Sequence, residues 1–146
     1  MNRSSGRAAR LLAAAIFLPW VLPPNVASAV SARWIPTGNM VGWRNRHTAT
    51  LLPDGRVLVA GGESGSGIDY LATAEIYDPT RGTWTNVSNM ARVRANHTAT
   101  LLLNGKVLVA GGYDNGSYMA YAELYDPVLN TWSNTPAMNA ARGYHT

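Results

Sequence analysis

The sequence predicts an all-β protein built from repeated four-stranded antiparallel sheets, and three observations carry that reading. A long segment recurs at an offset of 50 residues. Apolar runs of about five residues are separated by turn dipeptides, the pattern of short strands and tight connections. One run in each repeat is apolar at every position, so it must be covered on both faces.

The repeat fixes the unit. His47–Gly62 reads HTATLLPDGRVLVAGG and His97–Gly112 reads HTATLLLNGKVLVAGG, identical at 13 of 16 positions. The match resumes in Ala72–Trp84 (ATAEIYDPTRGTW) and Ala120–Trp132 (AYAELYDPVLNTW), now at an offset of 48. The two residues are lost between Gly112 and Glu123, opposite the longer Gly/Ser-rich loop Glu63–Leu71 of the first repeat. Met40, Met90 and Met138 each precede an arginine by four positions, at Arg44, Arg94 and Arg142.

Each unit parses into four strands, here given for the first. His47–Leu52 opens it, and Pro53-Asp54-Gly55 turns the chain back. Asp-Gly, and Asn104-Gly105 in the second repeat, tolerate the positive φ that tight hairpins require. Arg56–Ala60 is the second strand and ends at Gly61-Gly62, where side chains would block close backbone approach. Thr73–Tyr77 is the third, Asp78-Pro79 opens the next turn, and Thr83–Val87 is the fourth. The run Val57-Leu58-Val59-Ala60 needs cover on both sides, and a sheet standing between two neighbouring sheets supplies it. That arrangement is a propeller of blades rather than one open sheet.

On these residues the sequence resembles the kelch repeat family, in the wording of secreted bacterial kelch proteins. The resemblance rests on the glycine pairs Gly61-Gly62 and Gly111-Gly112, the Glu-x-Tyr steps Glu75/Tyr77 and Glu123/Tyr125, and the tryptophans Trp84 and Trp132. It covers about residues 33–146, and its period near 50 is the kelch period. It implies an all-β kelch-type propeller fragment: two complete four-stranded antiparallel blades plus the outer strand of a closing blade. Arg33–Met40 aligns with Thr83–Met90, so the boundaries are 30–40 for that outer strand, 41–90 and 91–138 for the two blades, and 139–146 for the start of a third. Because propellers need about four to eight blades, the chain reads as the N-terminal part of a longer one.

The N-terminus reads as an address. Arg3, Arg7 and Arg10 precede the apolar run Leu11–Leu22, and Ala27-Ser28-Ala29 is the small-residue pattern of a secretory signal cleaved after Ala29. The run spans about 18 Å as a helix, short of the roughly 30 Å needed to cross a bilayer. The expected localisation is secreted or periplasmic, with no membrane association after cleavage.

The sequence pI of about 9.8 belongs largely to this leader. Without residues 1–29, nine basic residues face eight acidic ones, a net charge of +1. Such a balance offers no electrostatic footprint for nucleic acid. The absence of cysteine excludes disulfides, zinc–thiolate sites and a cysteine nucleophile within the chain.

Three sets of residues invite a chemical reading. Arg44, Arg94 and Arg142 stand before each inner strand, and the resemblance implies that this position faces the mouth of the central channel, where a guanidinium fork suits acidic ligands. The alternative is a structural pairing with Glu75 or Glu123. His47, His97 and His145 recur once per repeat and read as interblade core residues, since one imidazole per blade gives no chelating cluster. Tyr144-His145 matches the ligand wording of galactose oxidase, a copper-radical enzyme on a kelch propeller. The equivalent positions Arg46 and Asn96 are not tyrosines, and no cysteine is present for that enzyme's thioether cofactor. The expectation is a secreted, non-catalytic binding module without a cofactor, for a protein or carbohydrate ligand. The alternative is the N-terminal part of a galactose-oxidase-like copper oxidase, with Tyr144 and His145 as copper ligands.

Overall fold

The structure is a computed structural model that describes residues 33–65 and 69–146. The signal sequence and its cleavage point lie outside the described residues. Among those residues there is no helix. Ile35–Thr146 forms one compact unit.

The first sheet comprises β1 (Thr48–Leu51), β2 (Val57–Ala60), β3 (Ala74–Asp78) and β4 (Thr83–Val87) in the order β1-β2-β3-β4, antiparallel throughout. In the second repeat β5 (Thr98–Leu101) and β6 (Val107–Ala110) are followed by a small hairpin, β7 (Tyr113–Asp114) with β8 (Ser117–Tyr118). Then come β9 (Ala122–Asp126) and β10 (Thr131–Asn134), and the sheet order is β5-β6-β9-β10. The four strands expected within each blade are found, and in the first blade each end lies within one residue of its expected place.

Two local features differ from expectation. The Pro53-Asp54-Gly55 connection is a three-residue loop closed by Leu52 N–H to Arg56 O (2.8 Å), with only Gly55 at positive φ (85°). Asp54 instead caps the loop, its carboxylate accepting from the Arg56 N–H (3.1 Å). The outer strand expected within 30–40 does not form over the described part, 33–40. A strand exists only through bonds to a neighbour, and no sheet among the described residues offers one. A single backbone bond, Gly38 N–H to Gly82 O (2.9 Å), holds this segment against the β3–β4 turn.

The core is a layer between the two sheets. Leu58, Ala60, Ala74 and Ile76 on one face of the first blade meet Val107, Val109 and Tyr125 on the opposite face of the second. Repeat equivalents make the logic visible: Leu58 is 1% exposed where its counterpart Leu108 is half-buried, and Tyr125 is fully buried where Tyr77 is half-buried. In both pairs the member facing the neighbouring blade is the more buried, as apolar burial requires. Cross-strand Tyr–Trp pairs recur on each sheet, Tyr77 with Trp84 (5.1 Å between centroids) and Tyr125 with Trp132 (4.9 Å). Trp132 also reaches across the layer, its Nε1–H donating to Ser88 O (2.7 Å).

Gly61 marks a close approach between the blades. A Cβ there would lie 2.5 Å from Arg94 O and 2.8 Å from His97 Cε1, and its φ of +64° already disfavours a side chain. The close fit lets Gly62 N–H donate to Arg94 O (2.8 Å). The segment 138–146 repeats the arrangement on the second blade, with Gly112 N–H bonded to Arg142 O (2.8 Å).

Candidate functional site

The connections β2–β3 and β4–β5, and their equivalents, gather at one end of the blades, here called the loop end. Three kinds of residue meet there: a buried framework, a strained row and a set of tyrosines.

The framework is the arginine–glutamate pair of each repeat. Arg44 Nη2 lies 2.5 Å from Glu75 Oε1, and Arg94 Nη2 lies 2.6 Å from Glu123 Oε1, with all four side chains essentially without solvent exposure. Arg44 Nη1 donates to Gly61 O (3.1 Å) and Thr73 O (3.0 Å); Arg94 Nη1 donates to Gly111 O (2.8 Å) and Tyr121 O (3.2 Å). The glutamates also accept from the backbone N–H groups of Val41 and Ala91 (2.7 Å each). Burial pulls the Arg94 guanidinium below its ordinary pKa, and the Glu123 carboxylate opposes that shift. These two arginines therefore clamp the segment leading into each inner strand onto its own blade, as the structural alternative has it. Arg142 is different: it is exposed and has no carboxylate partner among the described residues.

His97 sits in the layer between the two blades, and His145 repeats its contact on the second blade. Thr48 Oγ1 lies 2.9 Å from His97 Nε2, and Thr98 Oγ1 lies 3.2 Å from His145 Nε2. Burial, reinforced by the Arg94 charge, lowers the His97 pKa to about 3. Each such imidazole is taken up by the threonine of the preceding repeat, and the described residues bring no three His, Asp or Glu side chains together.

The strained row was not legible as a site. Arg46, Asn96 and Tyr144 occupy the same position in successive repeats and all adopt left-handed backbone, with φ of 54°, 53° and 54°. Non-glycine residues avoid that region at a cost of about 1 kcal/mol or more. A ladder holds them there: Asn96 N–H donates to Arg46 O (3.1 Å) and Tyr144 N–H to Asn96 O (2.9 Å). The arginine two positions before and the histidine directly after are the same in all three repeats, while the two residues between them change from Asn-Arg to Ala-Asn to Gly-Tyr. The signal was present in the repeat alignment, as a variable position inside a constant frame.

Around the row stand aromatic rings. Tyr70 and Tyr113 approach to 5.6 Å between centroids, and Tyr113 meets Tyr118 edge-on at 5.5 Å. Tyr144 is 66% exposed and Trp43 is 87% exposed. Arg46 is half in solvent and donates to the buried Glu63 carboxylate (2.8 Å), while the Arg92 guanidinium lies 3.8 Å from the Tyr121 ring centroid. Exposed rings beside a paired Arg/Glu fork can stack on a ligand and both donate to and accept from it.

The other end carries a groove of about 530 Å³ between the β1–β2 and β5–β6 turns and the 126–129 turn. Its charges are matched locally, Arg56 with Asp54 (2.7 Å) and Lys106 with Asp126 (3.0 Å). No aromatic side chain lines that groove.

The description Kelch motif fits residues 44–91 and 94–139 of this chain. Among solved structures the chain is similar to a novel fungal alcohol oxidase with catalytic diversity among the AA5 family, in complex with copper. Identity is 33% and the TM-score is 0.51 over 60% of this chain, which corresponds to 18% of the oxidase chain. No curated protein matches.

Proposed function

The chain belongs to the kelch repeat family, and from that premise we propose that it is an exported binding module whose loop end contacts a protein or carbohydrate ligand. The observation that carries the reading is the row Arg46, Asn96 and Tyr144, three different side chains held in costly left-handed backbone by an otherwise repeated frame. Strain maintained at the equivalent position of each repeat, exposed at Arg46 and Tyr144 and half-buried at Asn96, supports a role in recognition beyond packing. The tyrosines and Trp43 add the amphipathic contact area that binding surfaces favour. Export rests on the three-part signal at residues 1–29. Arg44 and Arg94 support this surface from below, and Arg142 can reach a ligand carboxylate.

A second reading is favoured by the similarity to the alcohol oxidase: the chain as one part of a galactose-oxidase-like copper enzyme. Tyr144 and His145 are the residues that would serve it. The Tyr144 side chain is exposed and His145 is bonded to Thr98, so this pair alone does not make a copper donor set, and no step is derived through the metal.

The test is to screen the full chain on immobilised peptide and glycan arrays and to repeat the positive probes with Arg46→Ala, Tyr144→Ala and, at the opposite end, Arg81→Ala. Signals lost with the first two and kept with the third support the loop end. Signals lost only with Arg81→Ala, or a chain that binds no probe on either array, contradict it.

A further inference from the structure

The sequence contains two Asn-Gly dipeptides, Asn104-Gly105 and Asn115-Gly116, and the structure treats them differently. In the first, the Asn104 side-chain oxygen accepts from the Lys106 N–H (3.1 Å), and the Gly105 N–H donates to Leu102 O (2.9 Å). Both reacting partners of a deamidation are thus tied. In the second, at the tip of the β7–β8 hairpin, both residues are exposed, and among the described residues no hydrogen bond engages the Asn115 side chain or the Gly116 N–H. A Cβ at Gly116 would meet nothing within 4 Å, so the space around that nitrogen is open.

We propose that Asn115 is a site of spontaneous modification, at which the fold leaves one Asn-Gly pair free to deamidate while protecting the other. The Gly116 backbone nitrogen gives up its proton and bonds to Asn115 Cγ; the Cγ–Nδ2 bond breaks, and the amide nitrogen leaves as ammonia with that proton. Water then opens the resulting cyclic imide at either carbonyl, giving aspartate or isoaspartate. Glycine favours the step because no side chain hinders the attacking nitrogen. The product places a new carboxylate beside Asp114, and the isoaspartate form lengthens the backbone within the turn that sets the Tyr113–Tyr118 and Asp114–Ser117 register. Tyr113 is bridged to Ala95, next to Asn96, so the change lies against the loop end.

The experiment incubates the full chain at mildly alkaline pH in native buffer and, in parallel, in concentrated urea. Digestion and mass spectrometry then follow conversion at each asparagine, with an isoaspartate assay. In urea the two sites should convert at similar rates; in native buffer Asn115 should convert at least several-fold faster than Asn104. Asn115→Gln should remove the fast product and leave the Asn104 rate unchanged. Equal native rates, faster conversion at Asn104, or an Asn115 that stays intact would overturn the proposal.

Discussion

At the residue scale, the most consequential side chain is the buried His97, because its charge state bears on the contact between the blades. His97 is 6% exposed, and Arg94, His47 and His145 all face it electrostatically. Its folded pKa of about 3 lies below the ordinary 6.5, so only the neutral ring is tolerated. The sign follows: His97 contributes full stability above about pH 6.5 and progressively loses it as pH falls toward 3. Urea midpoints measured across that window should fall steeply for the native chain and less steeply for His97→Asn, by a difference on the order of a few kcal/mol at the acid end. Identical slopes would show that His97 is not held neutral. The repetition of this histidine was plain in the sequence, and so was its core role. What sequence could not supply was the left-handed backbone of the residue before it, since Arg46 and Tyr144 are types that ordinarily avoid positive φ.

At the scale of elements, the arginine–glutamate clamp decides whether a loop-end segment stays on its blade. Arg94 joins the segment before β5 to β9 through Glu123 and to the end of β6 through Gly111 O. Removing one partner of a buried pair strands a charge, at about 3–5 kcal/mol. Glu123→Ala should therefore lower the melting temperature strongly, whereas the double change Arg94→Met, Glu123→Leu should recover most of the loss. Calorimetry of both variants checks this, and a double variant no better than the single one would mean that the Arg94 contacts to backbone carbonyls matter more than the charge pair. The strands themselves were legible because apolar runs and turn dipeptides mark them. The β7–β8 hairpin went unread although Asn115-Gly116 lies between Tyr113 and Tyr118, because its two-residue strands are too short to show a period.

At the scale of the whole molecule, the repeat carries the account. Two nearly identical sheets stack so that one face of the first covers the opposite face of the second, and the loop end is the surface this stacking aligns. The need for two-sided cover was visible in Val57–Ala60, while the partner of each face emerged only from the packing. The Thr48–His97 contact (2.9 Å) and the Trp132 bond to Ser88 (2.7 Å) both cross the interblade layer and join residues of different repeats. A nuclear Overhauser spectrum of the full chain tests the stacking most directly. The account predicts cross-peaks from the His97 ring to the Thr48 methyl group and from the Trp132 indole N–H to Ser88, alongside the β1–β2 contacts within the first blade. Intact β1–β2 contacts with both interblade cross-peaks missing would contradict it.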